Sequence, residues 1–133
     1  MTLFGNFQVA GSGLHVYRKW MDALSDNIAN LNTVKPFDEA AFQERFVQVQ
    51  NADINNTGGG VKVSAIRYGD AEGRLRYDPT NPLANPDGYV RSPDMDLGDQ
   101  MTNMILAQRG YQANLAVVER ARSAYEAALG LGK

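Results

Sequence analysis

From Leu3 to Leu31 the apolar side chains fall at Leu3, Phe7, Ala10, Leu14, Tyr17, Met21, Leu24, Ile28 and Leu31, with spacings that alternate four and three throughout. Only an α-helix brings such positions onto one edge, and four heptads of it predict a long helix that packs in coiled-coil fashion against another. Gly5, Gly11 and Gly13 each cost such a helix about 1 kcal/mol relative to alanine, so the helix is expected to be firm only from Leu14. Asn30 to Thr33, followed by Pro36, predict its end. A second stripe of Val16, Trp20 and Ala23 runs on an adjoining face, which leaves His15, Arg18, Lys19, Asp22, Ser25 and Asp26 as the solvated side. One partner helix cannot cover both stripes. Each large apolar side chain left wet forgoes about 1.5–3 kcal/mol, a sizeable part of a small protein's stability, so a further neighbour is implied.

The C-terminal stretch repeats the pattern with Leu97, Met101, Met104, Tyr111, Leu115, Val118, Tyr125 and Leu129, interrupted by Gln108 and Arg122. A flanking face of Ala107, Gly110, Ala113, Ala116, Ala121, Ala124 and Ala128 lets another helix come close. Asp96 or Asp99 is expected to cap the start of this helix, and Gly130 with Gly132 to end it. Between the two helices the character changes. Gly58 to Gly60 form a breaker, Val61, Val63 and Ala65 alternate as a strand, Gly69 to Gly73 read as a turn, and Leu75 to Tyr77 as a short extended piece. Residues 42–49 fit a strand or a short helix, and Pro79, Pro82, Pro86 and Pro93 are expected to interrupt regular structure up to the next helix. The reading is α+β: residues 1–34 and 97–133 as paired helices in a coiled-coil-like domain, with a small β-rich central domain and Pro-rich joint over 35–96.

With 133 residues, a net charge of -2 and no cysteine, the chain offers no electrostatic footprint for nucleic acid, no disulfide and no thiolate chemistry. No apolar run reaches the roughly 18 residues of a membrane span, so no direct membrane insertion is expected, and the N-terminus lacks the pattern of a cleaved signal peptide. His15 stands alone, without the converging partners a catalytic triad needs. Asp94, Asp96 and Asp99 resemble a calcium loop only loosely, because the sixth-place glycine and closing glutamate are missing, and helix capping explains them better. The Gly58–Gly60 run lacks the following Lys-Ser or Lys-Thr of a phosphate loop, and the Asn55-Asn56-Thr57 glycosylation pattern is too short to carry weight. No catalytic, cofactor-binding or metal-binding residue is nominated, and no cofactor is expected.

Three segments carry a resemblance. Asn27-Ile28-Ala29-Asn30-Leu31-Asn32-Thr33 resembles the Asn-rich motif of the bacterial flagellar rod and hook proteins. Tyr77-Asp78-Pro79-Thr80-Asn81-Pro82-Leu83-Ala84-Asn85-Pro86-Asp87-Gly88-Tyr89-Val90, with Ser92-Pro93-Asp94-Met95-Asp96, is similar to the signature of the proximal-rod members of that family. Met101 through Arg109-Gly110-Tyr111-Gln112-Ala113-Asn114 resembles the C-terminal motif of its axial proteins. Asn81, Asp94 and Gly98-Asp99-Gln100 depart from the usual residues, which are His, Asn and a Glu pair. Residues 36–76 carry no family motif.

The resemblance implies a non-enzymatic subunit of the periplasmic rod, with the helical domain lining an axial tube and the central domain outside it. It implies as partners other rod proteins and copies of the chain itself, the membrane-ring protein and export-gate adaptor at the rod base, and the flagellar type III export apparatus, which needs no cleaved signal peptide. Gly5 to Gly13 read either as export or adaptable interface sequence or as a frayed terminus. Subunit contacts are expected from Leu14, Tyr17, Trp20, Met21, Leu24, Asn27, Ile28, Asn30 and Leu31, and from Met101, Met104, Tyr111, Asn114, Leu115, Val118 and Tyr125. Asn27, Asn30 and Asn32 are expected to cap the helix end and meet a neighbour. Tyr77, Pro79, Pro82, Gly88, Tyr89 and Pro93 are expected to brace a rigid joint. The competing reading is a soluble coiled-coil adaptor that binds partners without polymerising.

Overall fold

In the computed structural model, which describes residues 3–53 and 59–132, helix α1 (Leu3–Ala29) runs without interruption through Gly5, Gly11 and Gly13. The expectation of a helix firm only from Leu14 is therefore corrected, and of the two readings of Gly5 to Gly13 the helical start disfavours the frayed terminus. Gly5 and Gly13 are buried against neighbouring structure, and packing outweighs the propensity deficit of a glycine in a long helix. The helix ends where expected. Asn30 N–H reaches the Asp26 carbonyl (3.1 Å), Asn30 Nδ2 donates to the same oxygen (2.9 Å), and Thr33 N–H closes the turn on the Asn30 carbonyl (3.0 Å).

Four strands follow: β1 (Arg45–Asn51), β2 (Val61–Tyr68), β3 (Arg74–Tyr77) and β4 (Tyr89–Ser92), in two two-stranded sheets, β1-β2 and β3-β4. The ambiguous 42–49 stretch is a strand from Arg45 onward. In the second sheet the strands are antiparallel, with Leu75 opposite Arg91 and Tyr77 opposite Tyr89. Strand β4 was not legible in the sequence, where prolines were expected to interrupt the whole region. The proline-free run Tyr89–Ser92 fits between Pro86 and Pro93, and Lys35 pairs with Arg91 on its other edge through two backbone hydrogen bonds of 2.9 Å. Gly58 of the expected breaker and the Asn55-Asn56-Thr57 pattern lie outside the described residues.

Helix α2 (Leu97–Leu131) begins at Asp96, whose Oδ1 accepts from the Asp99 backbone N–H at 3.1 Å. Asp96 is thus the cap, satisfying one of the free donors of the first turn. Gly130 lies inside the last turn rather than ending it, and Gly132 N–H closes on the Leu129 carbonyl at 3.3 Å.

The chain groups into two compact units. In the first (Met1–Met21, Val47–Ala65, Ile105–Lys133) the helices are antiparallel: Phe4 meets Tyr125 edge to face at 6.0 Å between centroids, Gly13 lies against Asn114, and Gly110 against Tyr17. Val61 N–H donates to Ser12 Oγ (3.1 Å), which donates to the Val9 carbonyl (2.6 Å). Among the described residues its buried apolar side chains are small: Ala10, Val16 and Ala107. The second unit (Asp22–Phe46, Ile66–Met104) buries Ala23, Leu24, Ala41, Val90 and Met95 together with Asn27 and Gln100.

Asp96→Ala is expected to destabilise the protein by about 1 kcal/mol, the usual worth of such a cap. A lower denaturant midpoint with an unchanged m-value would register it.

Candidate assembly surface

The inward face of α2 is a four-three series of Gln100, Met104, Ala107, Tyr111, Asn114, Val118 and Ala121, all buried or half-buried. The seam expected from apolar spacing shares Met104, Tyr111 and Val118 with it. The other five residues of that seam, Leu97, Met101, Leu115, Tyr125 and Leu129, are exposed; Met101 is 53% and Leu129 55% accessible. Small residues decide which side faces in. An added Cβ at Gly13 would stand 3.0 Å from Asn114 Oδ1, and one at Gly110 would overlap the Tyr17 ring. The closest approach is therefore available only on the small-residue side, and large apolar side chains are turned outward.

Ile105, Leu106 and Val117 join the exposed set, and sequence reading missed them because they lie off the heptad positions. Large apolar side chains exposed along so much of one helix nominate α2 as a surface for a partner. Of the residues expected at subunit contacts, Met101, Leu115 and Tyr125 are exposed. Leu14, Tyr17, Trp20, Met21, Ile28, Asn30, Leu31, Met104, Tyr111, Asn114 and Val118 are half-buried, and Leu24 and Asn27 are buried in the chain's own packing. The Tyr17 and Trp20 rings are neighbours, 6.2 Å between centroids.

The second unit holds a buried amide pair. Asn27 is 0% and Gln100 1% accessible. Asn27 Nδ2 donates to the Arg45 carbonyl (3.1 Å) and to Gln100 Oε1 (3.0 Å), while its Oδ1 accepts from the Arg45 backbone N–H (2.9 Å). Gln100 Nε2 donates to Glu44 Oε1 at 2.5 Å, and the Arg45 guanidinium pairs with Asp26. A buried amide without partners is costly; here each one is satisfied, and together they tie α1, α2 and the start of β1. Asn27 is thus a clamp on strand β1 rather than a cap, whereas Asn30 does close the helix end. The exposed Asn32 side chain is at the surface. Nothing in the apolar periodicity points to Gln100, which stands four residues before Met104 and one turn after the cap; the sequence marks it only as part of the Gly98-Asp99-Gln100 departure from the family motif.

Residues expected to brace a joint lie around the β3-β4 connection and the step into α2. The Tyr77 and Tyr89 rings meet edge to face at 5.3 Å. Gly88 has φ +84°, and a side chain there would meet Tyr77 Cε2 at 2.8 Å and Pro79 Cβ at 3.1 Å, so only glycine suits both backbone and space. Asp78 N–H donates to the Gly88 carbonyl (2.8 Å), and the Asp78 carboxylate accepts from Asn81 Nδ2, Thr80 Oγ1 and the Arg76 guanidinium. These bonds, Asn81's foremost, hold its carboxyl below the ordinary carboxylate range. Pro79 and Pro82 are exposed in this connection, and Pro93 is buried after β4. Of the acidic cluster, Asp94 pairs with Arg74 and Asp96 caps α2. His15 is exposed on α1.

Two outcomes follow from these arrangements. Asn27→Leu removes the side-chain partner of the Arg45 N–H, the Arg45 carbonyl and the Gln100 Oε1, and is expected to cost about 1–3 kcal/mol for each group left unpaired in equilibrium unfolding. Because the Asp78 carboxyl is held low, its contribution to loop order is complete above the ordinary Asp range and is lost as pH falls through its folded value. Lower protection of the Asn81 and Leu83 amides in acid, measured as exchange relative to the intrinsic rate at each pH and absent in Asp78→Asn, would show it.

The sequence comparisons agree at both ends of the chain. Residues 7–36 match the family model described as flagella basal body rod protein, and residues 87–131 match flagellar basal body rod FlgEFG protein C-terminal. Across the full length the chain is 35% identical to the flagellar basal-body rod protein FlgC of Salmonella typhimurium, covering 100% of both chains. It is 33% identical to FlgC of Bacillus subtilis, again over 100% of both, and 32% identical to FlgC of Borreliella burgdorferi over 98% of each.

Proposed function

The chain belongs to the FlgC family of flagellar basal-body rod proteins, and from that premise we propose how its surfaces serve the rod. It is a structural subunit of the bacterial flagellar basal body, not an enzyme, and it assembles with other rod components. The observation that carries the reading is the outward row of large apolar side chains on α2, among them Leu97, Met101, Leu115 and Leu129. Covering such side chains yields about 25 cal/mol per Å², and a neighbouring helix in a stack supplies the cover. A heterologous contact that repeats without closing builds a filament rather than a ring.

In this reading the segments 1–34 and 97–133 form the inner, tube-lining part and 35–96 the outer part of a periplasmic drive shaft. On this proposal its partners are copies of the chain, other rod proteins, and the membrane-ring protein and export-gate adaptor at the rod base, with delivery by the type III export apparatus. Met101, Leu115 and Tyr125 lead the contact set, with half-buried Leu14, Tyr17, Trp20, Met21, Ile28, Asn30, Leu31, Met104, Tyr111, Asn114 and Val118 at its margin. Leu24 and Asn27 serve from inside, by holding the helices that present it. The braced β3-β4 connection, with Tyr77, Pro79, Pro82, Gly88, Tyr89 and Pro93, stiffens the load path.

Met101→Asp and Leu115→Asp test this. Both sites are exposed in the single chain, so its helicity and unfolding midpoint are expected to stay within about 0.5 kcal/mol of the parent. Assembly should fail, because an unpaired charge trapped at a contact costs several kcal/mol. Rod formation and motility are the readout; unimpaired swimming sinks the proposal, and a complex of fixed small stoichiometry in light scattering favours the adaptor reading.

A further inference from the structure

Heptad patterns have a weakness: a slip of one heptad returns apolar positions to apolar positions, so spacing alone does not choose a register. Both helices of this chain carry such patterns. In the first compact unit, two contacts break the degeneracy. The Tyr17 ring of α1 occupies the place where a Gly110 side chain would stand, and the Asn114 side chain of α2 closes on Gly13, so that a Cβ there would stand 3.0 Å from Asn114 Oδ1. The bulky member is on α1 in one pair and on α2 in the other. Asn114 is held in position by its own helix, Nδ2 donating to the Gly110 carbonyl at 3.0 Å, so the two pairs are joined through Gly110.

We propose that Tyr17–Gly110 and Asn114–Gly13 form a reciprocal register lock that admits one alignment of α1 on α2 and rejects its heptad slips. The partners met after a slip support this. One slip sets Tyr17 against Val117, Asn114 against Trp20 and Gly110 against Leu24; the other sets Tyr17 against Asn103, Asn114 against Asn6 and Gly110 against Ala10. In neither does Tyr17 or Asn114 face a glycine. Interiors packed to crystal density tolerate neither the overlap nor the void that each slip creates. Gly110 is the sole glycine of α2 between its terminal Gly98 and Gly130, so no other position on that helix can receive Tyr17. The lock is a property of the fold and does not depend on what the outward face binds. Its consequence reaches that face all the same, because a slipped pair would move Leu115 and Leu129 along α2 relative to the side chains of α1.

The absence of cysteine allows unique labelling. His15→Cys and Gln112→Cys place nitroxides on exposed positions of the two helices within one unit, and a heptad slip shifts them by about 10 Å along the axis. The full-length labelled parent should give one short distance by pulsed electron–electron resonance. Gly110→Phe, which fills the notch, should lose it, either to a second distance or to a broad distribution. Tyr17→Ala combined with Gly110→Phe moves the bulk to the other helix and should restore the single parental distance. Both changes favour helix on propensity, so loss of helix is not the expected confounder. Retention of the parental distance in Gly110→Phe alone overturns the lock. So does a Tyr17→Ala/Gly110→Phe chain that fails to recover it, or a parent that never shows it.

Discussion

The close approach of two helices at a pair of glycines governs the use of this chain's apolar residues. Where Tyr17 enters the gap at Gly110 and Asn114 enters the gap at Gly13, larger side chains have no room. The face of α2 that turns inward is consequently built from Gln100, Ala107, Asn114 and Ala121 alongside Met104, Tyr111 and Val118. Leucines and methionines at the neighbouring heptad positions are left pointing outward. In an ordinary soluble domain the same residues would be distributed the other way, since burial of a leucine is worth more than burial of an alanine. The arrangement is reasonable only for a chain whose outward side is destined for another protein.

Polar burial in the second unit serves a different need. Hydrophobic contact is non-directional and fixes neither a strand end nor a helix end. Asn27 bonds both backbone groups of Arg45, so the start of β1 is set to a particular residue, and Gln100 connects that point to α2 and Glu44. Buried amides of this kind are strong only when every donor and acceptor has a partner, and here the Asn-rich segment at the end of α1 provides that completeness.

Much of this was legible in the residues, and the failures have a common cause. The heptads announced both helices, alternation at Val61, Val63 and Ala65 announced β2, and Asp96 announced a helix start. Glycine propensity misjudged the beginning of α1, because Gly5 is buried and Gly13 lies in close contact with Asn114. Counting apolar positions put Met104, Tyr111 and Val118 in one series with Leu97, Met101 and Leu115, and spacing alone does not separate the half-buried members from the exposed ones. Propensity and periodicity are sums over one chain segment; notch packing at Gly110 and the clamp at Asn27 depend on residues far apart in sequence. Strand β4 was missed for the same reason, since four residues between prolines become a strand only when β3 and Lys35 are alongside.

A tubular shaft needs subunits that are stiff inside and adhesive outside, and these demands compete for the same apolar side chains. Covering Met101 and Leu129 within the chain would raise the stability of the lone subunit and remove its means of attachment. Using small and polar residues for the intrachain seam resolves the competition: glycine notches and satisfied amides supply alignment, which needs shape and direction more than area, while the large side chains are reserved for contacts between molecules, where area dominates. On the proposed function, the apolar side chains that the single chain leaves exposed on α2 contribute to stability only once a neighbour covers them.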